Sequence, residues 1–299
     1  MAAVETDSCL GVCRGGSYRG ATVDDRYRAG VAMTTPDFGD DVRFAHTLAD
    51  AADAVSLERF KAMDLQVETK PDLTPVTDAD RTIEERIRWT LSRSRPRDAV
   101  LGEEFGASGQ SARRWVIDPI DGTMNYVRGV PVWATLIGLM VDDVVVAGVV
   151  SAPALDRRWW AARGQGAWSG RSLARAGRCK VSEIDAVGDA SLSYSDLGGW
   201  EDVGRLEQFF RLSRRTWRTR AYGDFWSYVL VADGAVDIAC EPSLALHDMA
   251  AVSVVVEEAG GRFTSLDGVP GPHGGNALAT NGRLHDDVLA LLSPDGAPD

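Results

Sequence analysis

Trp115-Val116-Ile117-Asp118-Pro119-Ile120-Asp121-Gly122-Thr123 runs an apolar strand straight into two aspartates three residues apart. Trp115 to Asp118 has the aromatic and β-branched content of an inner strand. A carboxylate at the end of such a strand is costly to desolvate unless a cation accompanies it. Pro119 stiffens the turn, so Asp118, the Ile120 carbonyl and Asp121 can face a common centre. Gly122 permits close backbone approach, and the successive N–H groups of Gly122 and Thr123 can cradle a phosphate oxygen. Metal plus phosphate nest is the vocabulary of phosphoryl hydrolysis.

Two further segments place acids where a core would prefer none. Gly102-Glu103-Glu104-Phe105-Gly106 follows the apolar Ala99-Val100-Leu101, and Asp248 opens the apolar run Met249 to Val256. Converging carboxylates repel, so protons or metal ions must hold them together. Oxygen donors without His or Cys select Mg²⁺ or Mn²⁺ over zinc. Taken singly, each segment has a plainer reading: an exposed turn for Asp118 and Asp121, a helix cap for Asp248, and a capping box for Thr77 and Asp80. Only the combination of the three shifts the balance away from these plainer readings.

Outward from this centre the chain is regular from Asp40 on. Phe44, Leu48, Ala52 and Val55 fall at helical spacing behind acidic residues, predicting a helix of about 20 residues. A second helix follows Thr77, with Ile83, Ile87 and Leu91 on one face. Strands are expected at Trp115 to Asp118, Val132 to Met140, Val144 to Val150 and Arg158 to Ala162, with Gly164-Gln165-Gly166 as the next turn. Beyond residue 180 the order alternates: a strand at Ser191 to Tyr194, helices at Glu201 to Arg211 and Asp224 to Ala232, a strand at Val236 to Cys240, and a helix from His247 to Glu258 closed by Gly260-Gly261. Short strands at Arg262 to Thr264 and Ala277 to Thr280 precede a last helix near His285. This pattern predicts an α+β subdomain over 40–180 stacked beside an α/β subdomain over 181–299. Residues 1–39 lack either period and read as a disordered extension, or as sequence preceding a start at Met33.

Composition excludes several classes. With 299 residues, 44% hydrophobic and 25% charged, the chain buries about three quarters of its surface. No run of 18 apolar residues offers a membrane span, and no charged patch with an apolar stretch opens the chain as a secretory signal, so the expected home is the cytoplasm. A net charge of −12 gives no general attraction to nucleic acid or anionic lipid, and it tolerates cations. Four scattered cysteines and four histidines without an HxxxH pair argue against a disulfide framework or a histidine-based zinc site.

Asp118-Pro-Ile-Asp-Gly-Thr123, preceded by Gly102-Glu-Glu104 and followed by Asp248-x-Ala-Ala and Glu258-Ala-Gly-Gly261, resembles the inositol monophosphatase family, from about residue 41 to 293. The stretches Lys70 to Asp80, Arg128 to Trp133, Ser151 to Ala154, Arg158 to Gly164 and Gly271 to Gly275 look like its actinobacterial-type histidinol-phosphate phosphatases. The resemblance implies a layered αβαβα sandwich of the sugar-phosphatase type and two or three Mg²⁺ ions, for which Mn²⁺ may substitute. It also implies a small phosphate monoester as substrate, a role in histidine biosynthesis and a homodimer. Carried over residue by residue, it assigns Glu103, Asp118, the Ile120 carbonyl, Asp121 and Asp248 to the metal cluster, with Asp80 near a third, weaker ion. Gly122 and Thr123 would offer N–H groups to the phosphate, the Thr123 hydroxyl and Glu103 would orient the attacking water, and Glu241 would meet the leaving alcohol. Two departures are visible: His247 where the family usually has Trp, and Met124 where relatives often have Lys or Thr.

Histidinol phosphate carries an ammonium and an imidazole, so its site should contain acids outside the metal cluster. Glu241 and Asp224 are the candidates, Asp224 being equally readable as a helix cap after Gly223. Tyr222, Trp226 and Tyr228 offer aromatic faces for a cation, although core packing explains them as well. Inositol phosphate, fructose 1,6-bisphosphate and a nucleotide 3′-phosphate are the competing substrates, and a metal- and phosphate-binding regulator is the competing non-enzyme. The apolar Val130 to Trp133 and Trp159-Trp160 segments are readable as a dimer interface or as core.

Overall fold

The computed structural model describes residues 37–71 and 74–294. The expected extension over 1–39 lies outside the described residues up to residue 36, as do Cys9 and Cys13.

The fold is decided by which face each apolar residue takes. In the long strand β5 (Arg113–Asp121), Trp115 and Ile117 join one core while Val116 joins another, the period of two that a sheet covered on both faces requires. On the first face lie helices α1 (Gly39–Arg59) and α2 (Asp78–Ser94), burying Leu48, Ala52, Ile83 and Ile87. Thr77 and Asp80 close a capping box at the start of α2, as their spacing predicts.

The sheet has eight strands in the order β10-β9-β8-β7-β6-β5-β3-β4. Its members are β3 (Ala99–Gly102), β4 (Gly106–Ser108), β5, β6 (Ala134–Val141), β7 (Val144–Ala152), β8 (Arg157–Ala162), β9 (Gly166–Ser172) and β10 (Arg175–Arg178). A small hairpin of β1 (Val67–Thr69) and β2 (Pro75–Thr77) stands apart, and α3 (Thr123–Arg128) follows β5.

On the second face lie α6 (Asp224–Ala232) and α7 (Leu246–Glu258). Helix α7 is apolar all round because its other side meets a second sheet, ordered β12-β11-β13-β15-β14. These strands are β11 (Ser191–Ser193), β12 (Arg218–Arg220), β13 (Ile238–Glu241), β14 (Arg262–Thr264) and β15 (Ala277–Thr280). Beyond it, α4 (Gly198–Asp202), α5 (Leu206–Arg215) and α8 (His285–Leu292) cover Leu192, Ile238, Cys240 and Leu278. The layers therefore run α, β, α, β, α.

Several expectations are corrected. The helix expected from Glu201 to Arg211 is two helices, α4 and α5, parted at Gly204, whose φ of +70° ends the first. Of the apolar segments readable either as an interface or as core, Trp133 and Trp159 are fully buried and Trp160 nearly so, while Val130 and Pro131 are exposed and Val132 partly so. Trp226 and Tyr228 also pack inward, against Trp159 and Phe263, while Tyr222 stays half-exposed. None of the helices among the described residues is long and apolar enough to cross a membrane.

Helix α7 approaches the large sheet closely enough to exclude side chains. A Cβ at Gly148 would stand 2.8 Å from both the Ala251 carbonyl oxygen and Val254 Cγ1. Backbone cannot yield as a flexible side chain does, so Gly148→Ala should cost about 1–3 kcal/mol. Thermal unfolding should show a loss of several degrees for this variant. Gly177→Ala, at a position where a Cβ meets nothing within 4 Å, should leave the midpoint nearly unchanged. Equal midpoints for the two variants would refute the close approach.

Candidate active site

Asp118 and Asp121 are three apart, which in a regular strand puts them on opposite faces. The register against β6 shifts between them: Asp118 opposes Leu136, and Asp121 opposes Ala134. One extra residue sits on the β5 side, a bulge at Pro119-Ile120, and it turns both carboxylates to one side. The Thr135 hydroxyl pins the bulge by donating to the Pro119 carbonyl at 2.7 Å. Proline has no N–H to offer the ladder, so it suits this position.

The parallel neighbour β3 ends at Gly102 opposite Ile117, so the next residue, Glu103, emerges beside Asp118. Its backbone N–H donates to the Ile117 carbonyl at 3.2 Å. Asp248 arrives from α7, where it is the third helical residue rather than the cap, and accepts the Ala245 N–H at 2.7 Å. Oxygen atoms of Asp118, Asp121 and Asp248 lie within 4.8 Å of one another. A second group with the same spacing unites Glu103, Asp118 and His247. Asp118 belongs to both.

The electrostatics follow from burial. Asp118 is 2% exposed, and burial, then Glu103, Asp121 and Asp248, push its carboxyl well above the usual range. Burial and then Asp224 and Asp248 do the same to Asp121, although the Phe225 N–H donates to it at 2.7 Å. Asp118 Oδ1 is buried without a hydrogen-bond partner. An orphaned acceptor inside a set of carboxylates and one imidazole is what a divalent cation would satisfy, so these residues fit one. Lys70 supplies a local positive charge, its Nζ lying 2.6 Å from both Glu103 Oε1 and Glu104 Oε1.

Gly122 has φ +82° and starts α3. A Cβ there would meet the Val132 carbonyl at 3.1 Å and Asp224 Oδ2 at 3.3 Å, so both conformation and space require glycine. The Thr123 hydroxyl donates to the Ile120 carbonyl at 2.8 Å. That carbonyl keeps a second lone pair free for a cation.

The remaining candidates ring this cluster without joining its ligand groups. Asp80 is buried, accepts the Thr77 N–H at 2.8 Å, and has its other oxygen unpartnered; burial lifts it to about 7 against the opposing Thr77 bonds. Glu241 is 5% exposed and lifted to about 8, by burial first and Asp224 second. Asp224 is not the helix cap, which is Gly223. It is a non-glycine residue at φ +51°, lifted to about 6 by burial and Asp248, and it accepts the Asn125 amide N–H at 3.2 Å. Backbone strain of this kind is retained where a side chain has to be aimed. Met124 is exposed.

Residues 40–294 match the inositol monophosphatase family. The chain belongs to that family. Two curated relatives of this family member are named histidinol-phosphatase. The one from Streptomyces coelicolor is 62% identical over 262 residues, covering 86% of this chain and 98% of the relative. The one from Mycobacterium tuberculosis is 60% identical over 255 residues, covering 85% and 98%. Among solved structures, an inositol monophosphatase from Zymomonas mobilis superposes with a TM-score of 0.76 at 29% identity, covering 86% of this chain and 99% of the other. The extragenic suppressor protein of Bartonella henselae gives 0.77 at 28%, covering 87% and 100%. His247 stands at ligand spacing although no HxxxH pair marks it in the sequence. The signal for His247 was its place next to an aspartate already expected in the cluster.

Proposed function

We propose that this chain is a metal-dependent phosphomonoesterase that hydrolyses L-histidinol phosphate to L-histidinol and phosphate. The observation that carries the reaction class is Asp118, buried, with one oxygen unpartnered, and common to both ligand groups. The substrate rests on the name carried by the two relatives at 62% and 60% identity, and on two acids outside those groups, Glu241, which is buried, and Asp224, which is partly buried. Glu103, Asp118, the Ile120 carbonyl, Asp121 and Asp248 would hold Mg²⁺, or Mn²⁺ in its place, with Asp80 beside a further ion. His247 adds one nitrogen donor, which favours transition ions over Mg²⁺ at that position.

Bound divalent ions supply Lewis acidity to the phosphoryl oxygens and make water a better nucleophile at neutral pH. The chain's own groups do the rest. Thr123 uses its hydroxyl proton on the Ile120 carbonyl, so its oxygen accepts from the attacking water. Glu103 accepts the other proton and fixes the line of attack on phosphorus. Gly122 and Thr123 N–H groups bind the phosphoryl oxygens, and the leaving alkoxide takes a proton from water.

Asp224 and Glu241 would face the organic half of the substrate, with Asp224 meeting its ammonium. Asparagine tolerates the left-handed backbone and is isosteric. Asp224→Asn should therefore raise KM for histidinol phosphate by about 10- to 100-fold, the worth of one charge-assisted bond. KM for a neutral phosphomonoester such as inositol 1-phosphate should move little. Phosphate release, measured on both substrates with and without chelator, tests the whole reading. No release from histidinol phosphate in saturating Mg²⁺ or Mn²⁺ would refute it, and equal KM changes on the two substrates would remove Asp224 from the site.

A further inference from the structure

Glu84 lies in α2, outside every ligand group, and is completely buried. Its carboxylate is aimed at the loop that carries Glu103. Oε2 accepts the Glu104 N–H at 2.7 Å, and Oε1 accepts the Phe105 N–H at 3.3 Å and Arg88 Nε at 2.7 Å. Arg88 continues the grip, donating to Ser108 Oγ at 2.8 Å and to the Gly106 carbonyl. Helix α2 thereby holds the turn from β3 into β4 by its backbone at three successive residues, 104 to 106.

Gly102 shows how tightly the carboxylate is seated. Its φ lies outside the left-handed region, so its backbone does not call for glycine. Space does: a Cβ there would stand 1.9 Å from Glu84 Oε1 and 2.2 Å from Cδ. The carboxylate fills the volume that a side chain at 102 would occupy, one residue before Glu103.

We propose that Glu84 is a positioning residue for Glu103. It fixes the backbone on the C-terminal side of Glu103, while the Glu103 N–H bond to Ile117 fixes the N-terminal side. The inference rests on the reading of Glu103 as a cation ligand. A carboxylate is needed because each of its three hydrogen-bond partners, the Glu104 and Phe105 N–H groups and Arg88 Nε, is a donor. The amide of glutamine would turn an N–H₂ toward one of them at unchanged shape. Outer partners of this kind set ligand geometry and are typically worth 10- to 100-fold in metal affinity.

The test is calorimetric titration of the chelator-stripped full chain with Mg²⁺, paired with hydrogen exchange of the Glu104 and Phe105 amides. Glu84→Gln should weaken Mg²⁺ binding about 10- to 100-fold, lower kcat more than it changes KM, and speed exchange at those two amides. If Glu84→Gln does not fold, Arg88→Lys supplies the same test from the less buried end of the grip, with a smaller loss in the same direction. Unaltered Mg²⁺ affinity and amide exchange in the folded variant would overturn the role of Glu84 alone. Absence of Mg²⁺ uptake by the unaltered chain would instead overturn the proposed function, and this inference with it.

Discussion

Asp118→Asn is expected to raise the melting temperature of the chelator-treated chain while lowering phosphatase turnover by about a thousand-fold or more. The two effects have one cause. Asp118 is buried among Glu103, Asp121 and Asp248, and burial and all three neighbours disfavour its charge. Without cations the folded chain carries that repulsion, which the unfolded chain escapes. Asparagine has the same shape without the charge, and its amide can donate to the neighbouring carboxylates. A gain of about 1–2 kcal/mol is expected, which for a chain of this size is about 2–8 °C. The loss of turnover follows because Asp118 belongs to both ligand groups, so one substitution weakens two cation positions together. Thermal unfolding in chelator and a phosphate-release assay in Mg²⁺ measure the pair. A lower melting temperature, or turnover within tenfold of normal, would mean that Asp118 is a structural residue and not a shared ligand.

The cluster was legible because three separate segments place acids against apolar runs: each alone had a plainer reading, and only their combination made a cation the better one. What made Asp118 and Asp121 converge was less visible. Pro119 announced a turn, but a bulge that returns both side chains to one face depends on pairing with β6, some 13 residues away in sequence. Helix α1 was readable because a core face repeats along it, and β6, β7 and α7 because each is a continuous apolar run buried along nearly its whole length. The short edge strands β1, β4 and β10 are exposed along most of their length and repeat nothing. Gly204 breaks a helical period by its backbone alone, which a pattern of apolar residues does not register.

Glu84 was hidden for a different reason. On α2 it is one acid among several, and only the approach of the 102–106 turn reveals it as buried and bonded. Asp224 sits between these cases. Its place after Gly223 allowed a cap, and the structure gives the cap to the glycine instead. Local sequence fixes which residues are able to take a role, and tertiary contact decides which of them does.

Magnesium is expected to raise the melting temperature of the chelator-stripped chain by about 5–15 °C at pH 8, and by clearly less at pH 6.5. At a hundredfold excess over Kd one site contributes about 2.7 kcal/mol, and two sites set the upper figure. The pH dependence has a definite sign. Glu241 is lifted to about 8, Asp224 to about 6, and Asp118 and Asp121 well above the usual range, burial being the first cause in each case. Unfolded carboxyls titrate near 4. Between these values the folded chain holds more protons than the unfolded one, so metal-free stability falls as pH rises. His46 and His285 act the other way: burial first, then Arg158 and Arg262, lower them from 6.5 to about 4. Their contribution is complete above pH 6.5 and is lost as pH falls toward 4. From pH 6.5 to 8 the carboxyls are therefore left to set the slope, and the melting temperature in chelator should decline across that window. Cations compete with the protons for the same oxygens, so with Mg²⁺ present the decline should flatten or reverse. Parallel melting curves with and without Mg²⁺ across the window would show that the raised carboxyls are not the ones that hold the ion.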